Sequence, residues 1–165
     1  MFEIKNLKKI NYWKLVSAIL ICQLAGIIGS IFTAPSVKTW YTTIIKPSFN
    51  PPNYLFGPVW TTLFILMGIS LYIIWDNKKK SKFKKKAITI FSIQLFLNLL
   101  WSILFFGFKS PLLASIEIVI LLIAIAITIY YFYKISKPSA YLLIPYILWV
   151  SFAMILNFAI VYLNY

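Results

Sequence analysis

Five stretches of about twenty residues, free of formal charge except for one acid, constrain this chain more than any other feature. They run from Leu15 to Ala34, Tyr54 to Trp75, Ala87 to Phe108, Leu112 to Tyr133 and Ala140 to Leu163, and the one acid inside them is Glu117. A bilayer core about 30 Å thick is crossed by roughly 20 apolar residues of helix rising about 1.5 Å each. Five such stretches in succession predict an all-α integral membrane protein, one domain over residues 1–165 built as a five-transmembrane-helix bundle. The first stretch follows Lys5, Lys8, Lys9 and Lys14 in the manner of a signal peptide. It is too long for one, and no Ala-x-Ala cleavage site follows it.

Composition removes whole classes of chemistry. The chain has no His and one Cys, Cys22, so zinc sites, His-based catalytic dyads, disulfide frameworks and histidine-ligated haem are excluded, and no metal site or cofactor is expected. All sixteen basic residues are Lys, against three acids, Glu3, Asp76 and Glu117. A nucleic-acid reader would carry Arg on a folded polar face, so the net charge of +13 is read as membrane topology, with the lipid bilayer as partner and no nucleic acid. With five spans, the N-terminus and the second and fourth links share one side, and carry four, seven and two Lys. The other side carries three: Lys38, Lys46 and Lys109. Positive-inside bias then places the N-terminus in the cytoplasm and the C-terminus outside a bacterial cell membrane. The run from Lys78 to Lys86 also admits an anionic-lipid or nucleic-acid reading, but it falls where the topology rule expects charge.

Ser110-Pro111 supplies a cap and a first-turn proline for the fourth helix, and Lys137-Pro138-Ser139 breaks the chain before the fifth. The long link, 35–53, holds Pro35, Pro47, Pro51 and Pro52 with Trp40, Tyr41 and Phe49. Its aromatic content predicts a packed lid that orders over a ligand.

Polar side chains at membrane depth are expensive and are read first as functional. Gln94, Asn98 and Trp101 share a helix face, as do Trp149, Ala153 and Asn157, while Trp60 and Phe64 form an i, i+4 pair. Three helices each offering an aromatic and a polar or small neighbour suit a cavity for a large, flat, apolar ligand. The competing reading is interfacial aromatic belts and interhelical hydrogen bonds. Glu117 is either a proton relay or, the favoured reading, a carboxylate near the outer interface within reach of Lys109 or a polar side chain. Cys22 reads as inert packing, and Gly26 and Gly29, with Ala25 and Ser30, as a surface another helix can approach closely.

Three strings carry a resemblance. They are Lys46-Pro-Ser-Phe-Asn-Pro-Pro-Asn-Tyr-Leu-Phe-Gly-Pro-Val-Trp60, Leu97-Asn98-Leu-Leu-Trp101-Ser with Phe105-Phe106-Gly107, and Leu143-Ile-Pro145-Tyr146-Ile-Leu-Trp149-Val-Ser-Phe-Ala153 with Leu156-Asn157. In this order on the second, third and fifth spans they resemble the TspO or translocator protein family, the tryptophan-rich sensory proteins that include the peripheral benzodiazepine receptor. The resemblance implies a pocket closed by the first loop that binds porphyrins and haem, sterols, and synthetic isoquinoline or benzodiazepine ligands. By motif position its walls would be Tyr41, Phe49 and Pro51 from the loop, with Trp60, Phe64, Asn98, Trp101, Trp149, Ala153 and Leu156. Phe49 stands where the family usually has Trp. The sterol pattern Leu/Val, Tyr, Lys/Arg finds Leu156 and Tyr162 but no following base, which argues against sterol binding by that route. The family commonly forms homodimers, although the third span lacks a small-xxx-small stripe.

The expected function is ligand binding to tetrapyrroles, as sensor, regulator or carrier. Enzymatic activity is left open as a rival, namely light-dependent porphyrin breakdown in which Trp60 and Trp149 are the catalytic residues. A small-molecule transporter is the third reading. Counting helical rise places Trp149 near mid-membrane, beneath Trp60.

Overall fold

The computed structural model describes residues 10–77 and 81–165. Lys5, Lys8, Lys9, Lys78, Lys79, Lys80 and Glu3 lie outside the described residues, so the lysine asymmetry is only partly represented. Among the described residues, five helical segments are long and apolar enough to cross a membrane: Tyr12–Lys38, Asn53–Trp75, Lys84–Gly107, Pro111–Ile135 and Lys137–Asn164. In chain order the elements are α1 (Tyr12–Lys38), a short α2 (Trp40–Thr43), α3 (Asn53–Trp75), α4 (Lys84–Ser102) continuing into a π-helical turn (Ile103–Gly107), α5 (Pro111–Ile135), a short α6 (Lys137–Tyr141) and α7 (Ile144–Asn164). α1 packs on α3 and on α4 with its π turn, α4 on α5, and α5 on α7.

Small residues set the closest approaches. A Cβ on Gly68 would lie 2.5 Å from the Ile19 Cα, so this glycine is required for α1 to lie against α3, and one on Gly26 would lie 2.5 Å from the Phe64 ring, which fills the space beside it. A Cβ on Gly29 would lie 3.1 Å from Ser102 Oγ, which brings α4 in on the same side of α1. At the lysine-rich end Ser70 and Ser139, both fully buried, each donate to the other's backbone carbonyl at 2.8 Å and join α3 to α6. Lys14 pairs with Asp76 there at 3.2 Å.

Two boundaries differ from the sequence expectation. The first helix does not stop at Ala34: Pro35 lies inside α1, which runs on to Lys38. Neighbouring helices and hydroxyls can satisfy the backbone around a proline within a membrane bundle. Here Thr39 Oγ1 donates to Pro35 O at 2.9 Å, and Ser36 Oγ donates to Phe106 O at 2.7 Å, which ties this turn of α1 to the π turn. The last span is broken, with α6 ending at Tyr141 and α7 starting at Ile144.

The lid is a packed cap. Tyr41 is 3% exposed beneath the loop, its ring 5.7 Å from Phe106, and its hydroxyl donates to Asn50 Oδ1 at 2.6 Å. Burial pushes the Tyr41 phenol up to about 12, so it remains a neutral donor throughout the physiological range. Ile45 and Asn164 exchange two hydrogen bonds, 2.9 and 2.8 Å, which tie the loop to the end of α7.

Candidate functional site

Beneath this cap α1, α3, α4 and α7 enclose a cavity of about 540 Å³. That volume falls within the roughly 300–1,000 Å³ of small-molecule sites. Eight of the ten residues expected from the sequence line it: Tyr41, Trp60, Phe64, Asn98, Trp101, Trp149, Ala153 and Leu156. Phe49 and Pro51 do not. The Phe49 ring is 47% exposed and lies 6.4 Å from Phe152, on the outer side of the cap, because the hydrogen bonds of Tyr41, Asn50 and Asn164 hold the loop with Tyr41 facing inward.

The aromatic walls are built in pairs. Trp60 stacks on Phe64 with centroids 5.6 Å apart, one helical turn below it. Trp101 stacks on Phe105 at 5.0 Å, and Phe105 meets Phe106 edge-on at 4.8 Å. The π turn makes this second cluster possible. With Phe108 N–H bonded to Ile103 O, the extra residue in the turn lets consecutive Phe105 and Phe106 both face the interior.

The expected depth order of the two tryptophans is reversed. Trp60 meets the Tyr146 ring at 6.4 Å, whereas Trp149 meets Phe56 at 6.2 Å, one turn nearer the cap. Helices α3 and α7 do not end level. α7 runs on past the first turn of α3 to reach Ile45 through Asn164, which lifts Trp149 above Trp60.

Two polar networks fix these walls. Asn98 Nδ2 donates to Tyr146 Oη at 3.1 Å, and Tyr146 Oη donates to Gln94 Oε1 at 2.9 Å; all three residues are buried. Gln94, expected on the same face as Asn98, therefore lies below the cavity and acts through Tyr146. In the second network Trp101 Nε1–H donates to Asn157 Oδ1 at 3.1 Å. Asn157 Nδ2 donates to Pro111 O at 2.8 Å and to Ser115 Oγ at 2.6 Å. Glu117 is not within hydrogen-bond reach of Lys109. It is 5% exposed, on the α5 face shared with Ala114 and Leu121, and neither carboxyl oxygen has a partner among the described residues.

Sequence reasoning missed one wall. α1 contributes Gly29, Ser30, Thr33, Ala34 and Val37, and Phe56, Ser102 and Ile160 add to the other sides. The small residues of α1 signalled close packing, and the same smallness leaves room beside them. Among the lining residues only Lys38 carries a charge.

The sequence model of the TspO/MBR family matches residues 18–163. The chain belongs to the TspO/MBR family. It is 52% identical over 154 residues to the tryptophan-rich protein TspO of Archaeoglobus fulgidus, covering 93% of this chain and 99% of that protein. It is 34% identical over 141 residues to the human translocator protein, covering 84% and 82% of the two chains. Protein CrtK of Rhodobacter capsulatus is 33% identical over 143 residues, 87% of this chain and 88% of CrtK. With its five apolar helices, this TspO/MBR chain is an integral membrane protein.

Proposed function

We propose that the chain is a membrane receptor for tetrapyrroles, protoporphyrin IX and haem, acting as sensor, regulator or carrier, with sterol-like and benzodiazepine-type molecules as further ligands. The observation that carries this reading is the capped cavity with Trp60, Trp101 and Trp149 on three of its walls. A flat macrocycle stacks on indoles at about 0.5–1.5 kcal/mol per pair beyond burial. Several hundred Å² of apolar surface at about 25 cal/mol per Å² adds more, and the costs of association bring the sum to micromolar affinity, about 8 kcal/mol. Asn98 gives the polar orientation. Its Nδ2 is committed to Tyr146, and no donor reaches its Oδ1 among the described residues, so that oxygen suits a pyrrole N–H. With no His in the chain, haem would be held by stacking and burial.

A second reading, light-dependent breakdown of bound porphyrin, is favoured by the presence of two indoles, Trp60 and Trp149, on one cavity. Absorbance titration with protoporphyrin IX in darkness, then under light, tests both readings. Saturable dark binding with no loss of absorbance on illumination supports the receptor, and absence of saturable binding contradicts it. If the indoles pass electrons to the porphyrin, photobleaching should collapse in Trp60→Phe and Trp149→Phe. Dark affinity should fall by less than about 1.5 kcal/mol for one aromatic contact.

Orientation and assembly belong to the same proposal: a bacterial cell membrane, the lysine-rich end in the cytoplasm, the cap outside, and a homodimer. A reporter fused after Tyr165 should lie outside and one inserted near Asn77 inside. Both on one side would contradict the orientation.

A further inference from the structure

The cavity is unevenly walled. Every lining residue from α4, its π turn and α7 is buried or half-buried, whereas α1 and α3 contribute exposed ones. On α1 these are Ile27, Ser30 and Ala34, spaced along one helix face, and on α3 they are Asn53, Gly57 and Thr61 at every fourth residue. The two helices are clamped together lower down, where Gln23 Nε2 donates to Thr61 O at 3.0 Å and Gly26 sits against the Phe64 ring. Above that clamp they part, for a Cβ on Gly57 would meet nothing within 4 Å. The opening is thus a slot between the cap-side halves of α1 and α3. From Lys38, the last residue of α1, down to Ile27 it spans about 16 Å at helical rise, roughly half the hydrocarbon core. A slot at that depth faces lipid chains. The cap offers no equal route, since Asn164, Tyr41 and Asn50 hold it shut over the end of the bundle.

At the top of the slot stands Lys38, exposed, with no hydrogen bond or ion pair among the described residues. No described acid is available to it. Asp76 pairs with Lys14 at the other end of the bundle, and Glu117 is buried in α5. A lone ammonium at the interface above an apolar slot matches a molecule with a flat apolar body and an anionic edge.

We infer that this slot is the entrance to the cavity from the bilayer, and that Lys38 takes the carboxylate of an anionic amphiphile arriving from the leaflet on the cap side. The inference rests on the tetrapyrrole reading and adds to it a route and a charge requirement. Smallness at the mouth serves passage: Gly57, Ser30 and Ala34 leave the width a flat ring needs.

The test uses the full chain in lipid vesicles, with protoporphyrin IX and its dimethyl ester as probes and stopped-flow tryptophan quenching as readout. Gly57→Trp fills the slot from α3, where open space accepts the new ring, and Ser30→Trp fills it from α1. Both should slow association about tenfold or more, a kinetic barrier of about 1.4 kcal/mol, with any loss of affinity smaller than the slowing. Lys38→Gln should collapse the preference for the free acid over the ester by about tenfold, a charge-assisted contact. Wild-type association rates in both Trp variants would overturn the route. An unchanged acid-to-ester ratio in Lys38→Gln would overturn the role of the lysine. If the wild-type chain quenches with neither probe, the tetrapyrrole reading itself fails and the inference with it.

Discussion

An Ala153→Trp variant is expected to lose protoporphyrin IX binding by about 100-fold or more, some 2.7 kcal/mol, while remaining folded. Ala153 lies on α7 one turn from Trp149, at the edge of the packed core, and lines the cavity. An indole placed there projects into open volume, so it avoids most of the cost of overpacking a filled core. It occupies the space between the Trp149 and Trp101 walls that a macrocycle needs. Dark absorbance titration beside thermal unfolding in detergent separates the outcomes. Lost binding with an unchanged or raised unfolding temperature is the expected result, and wild-type affinity would place the ligand elsewhere.

The second large effect concerns stability. Asn157→Leu keeps the side-chain volume but removes the acceptor for Trp101 Nε1–H and the donors to Pro111 O and Ser115 Oγ. Those three bonds join α4, α5 and α7 at one level. Interhelical hydrogen bonds in membrane bundles average about 0.6 kcal/mol each, so three are worth about 2 kcal/mol. Reversible denaturation should show that loss, and a Trp101→Phe, Asn157→Leu double variant should lose less than the sum of the singles. Additive losses would mean that Trp101 and Asn157 are not coupled.

Much of the site was legible because helical period and membrane cost act on individual residues. Asn98 with Trp101, and Trp149 with Ala153 and Asn157, are too polar or too evenly spaced to be lipid-facing, and all five line the cavity. The motif resemblance added Tyr41 and Leu156, which periodicity alone did not select. What stayed hidden depends on how helices meet. The α1 wall could not be read, since Ser30 and Ala34 look the same whether they admit a helix or leave a gap. The order of Trp60 and Trp149 failed because counting rise assumes helices that end level. Pro35 read as a stop, although α1 runs through it to Lys38, where Ser36 ties the helix to the π turn. The assigned partner of Glu117 failed because rotation of α5 about its axis, which no residue count gives, turns it inward.

The central claim, that the capped cavity is the ligand site, is tested most directly by hydrogen exchange of the full chain in lipid with and without saturating protoporphyrin IX. Protection should rise in residues 39–61, where the cap and the first turns of α3 border the cavity, and stay unchanged at the lysine-rich end around residues 134–143. Protection confined to the lysine-rich end, or none at saturation, would contradict it.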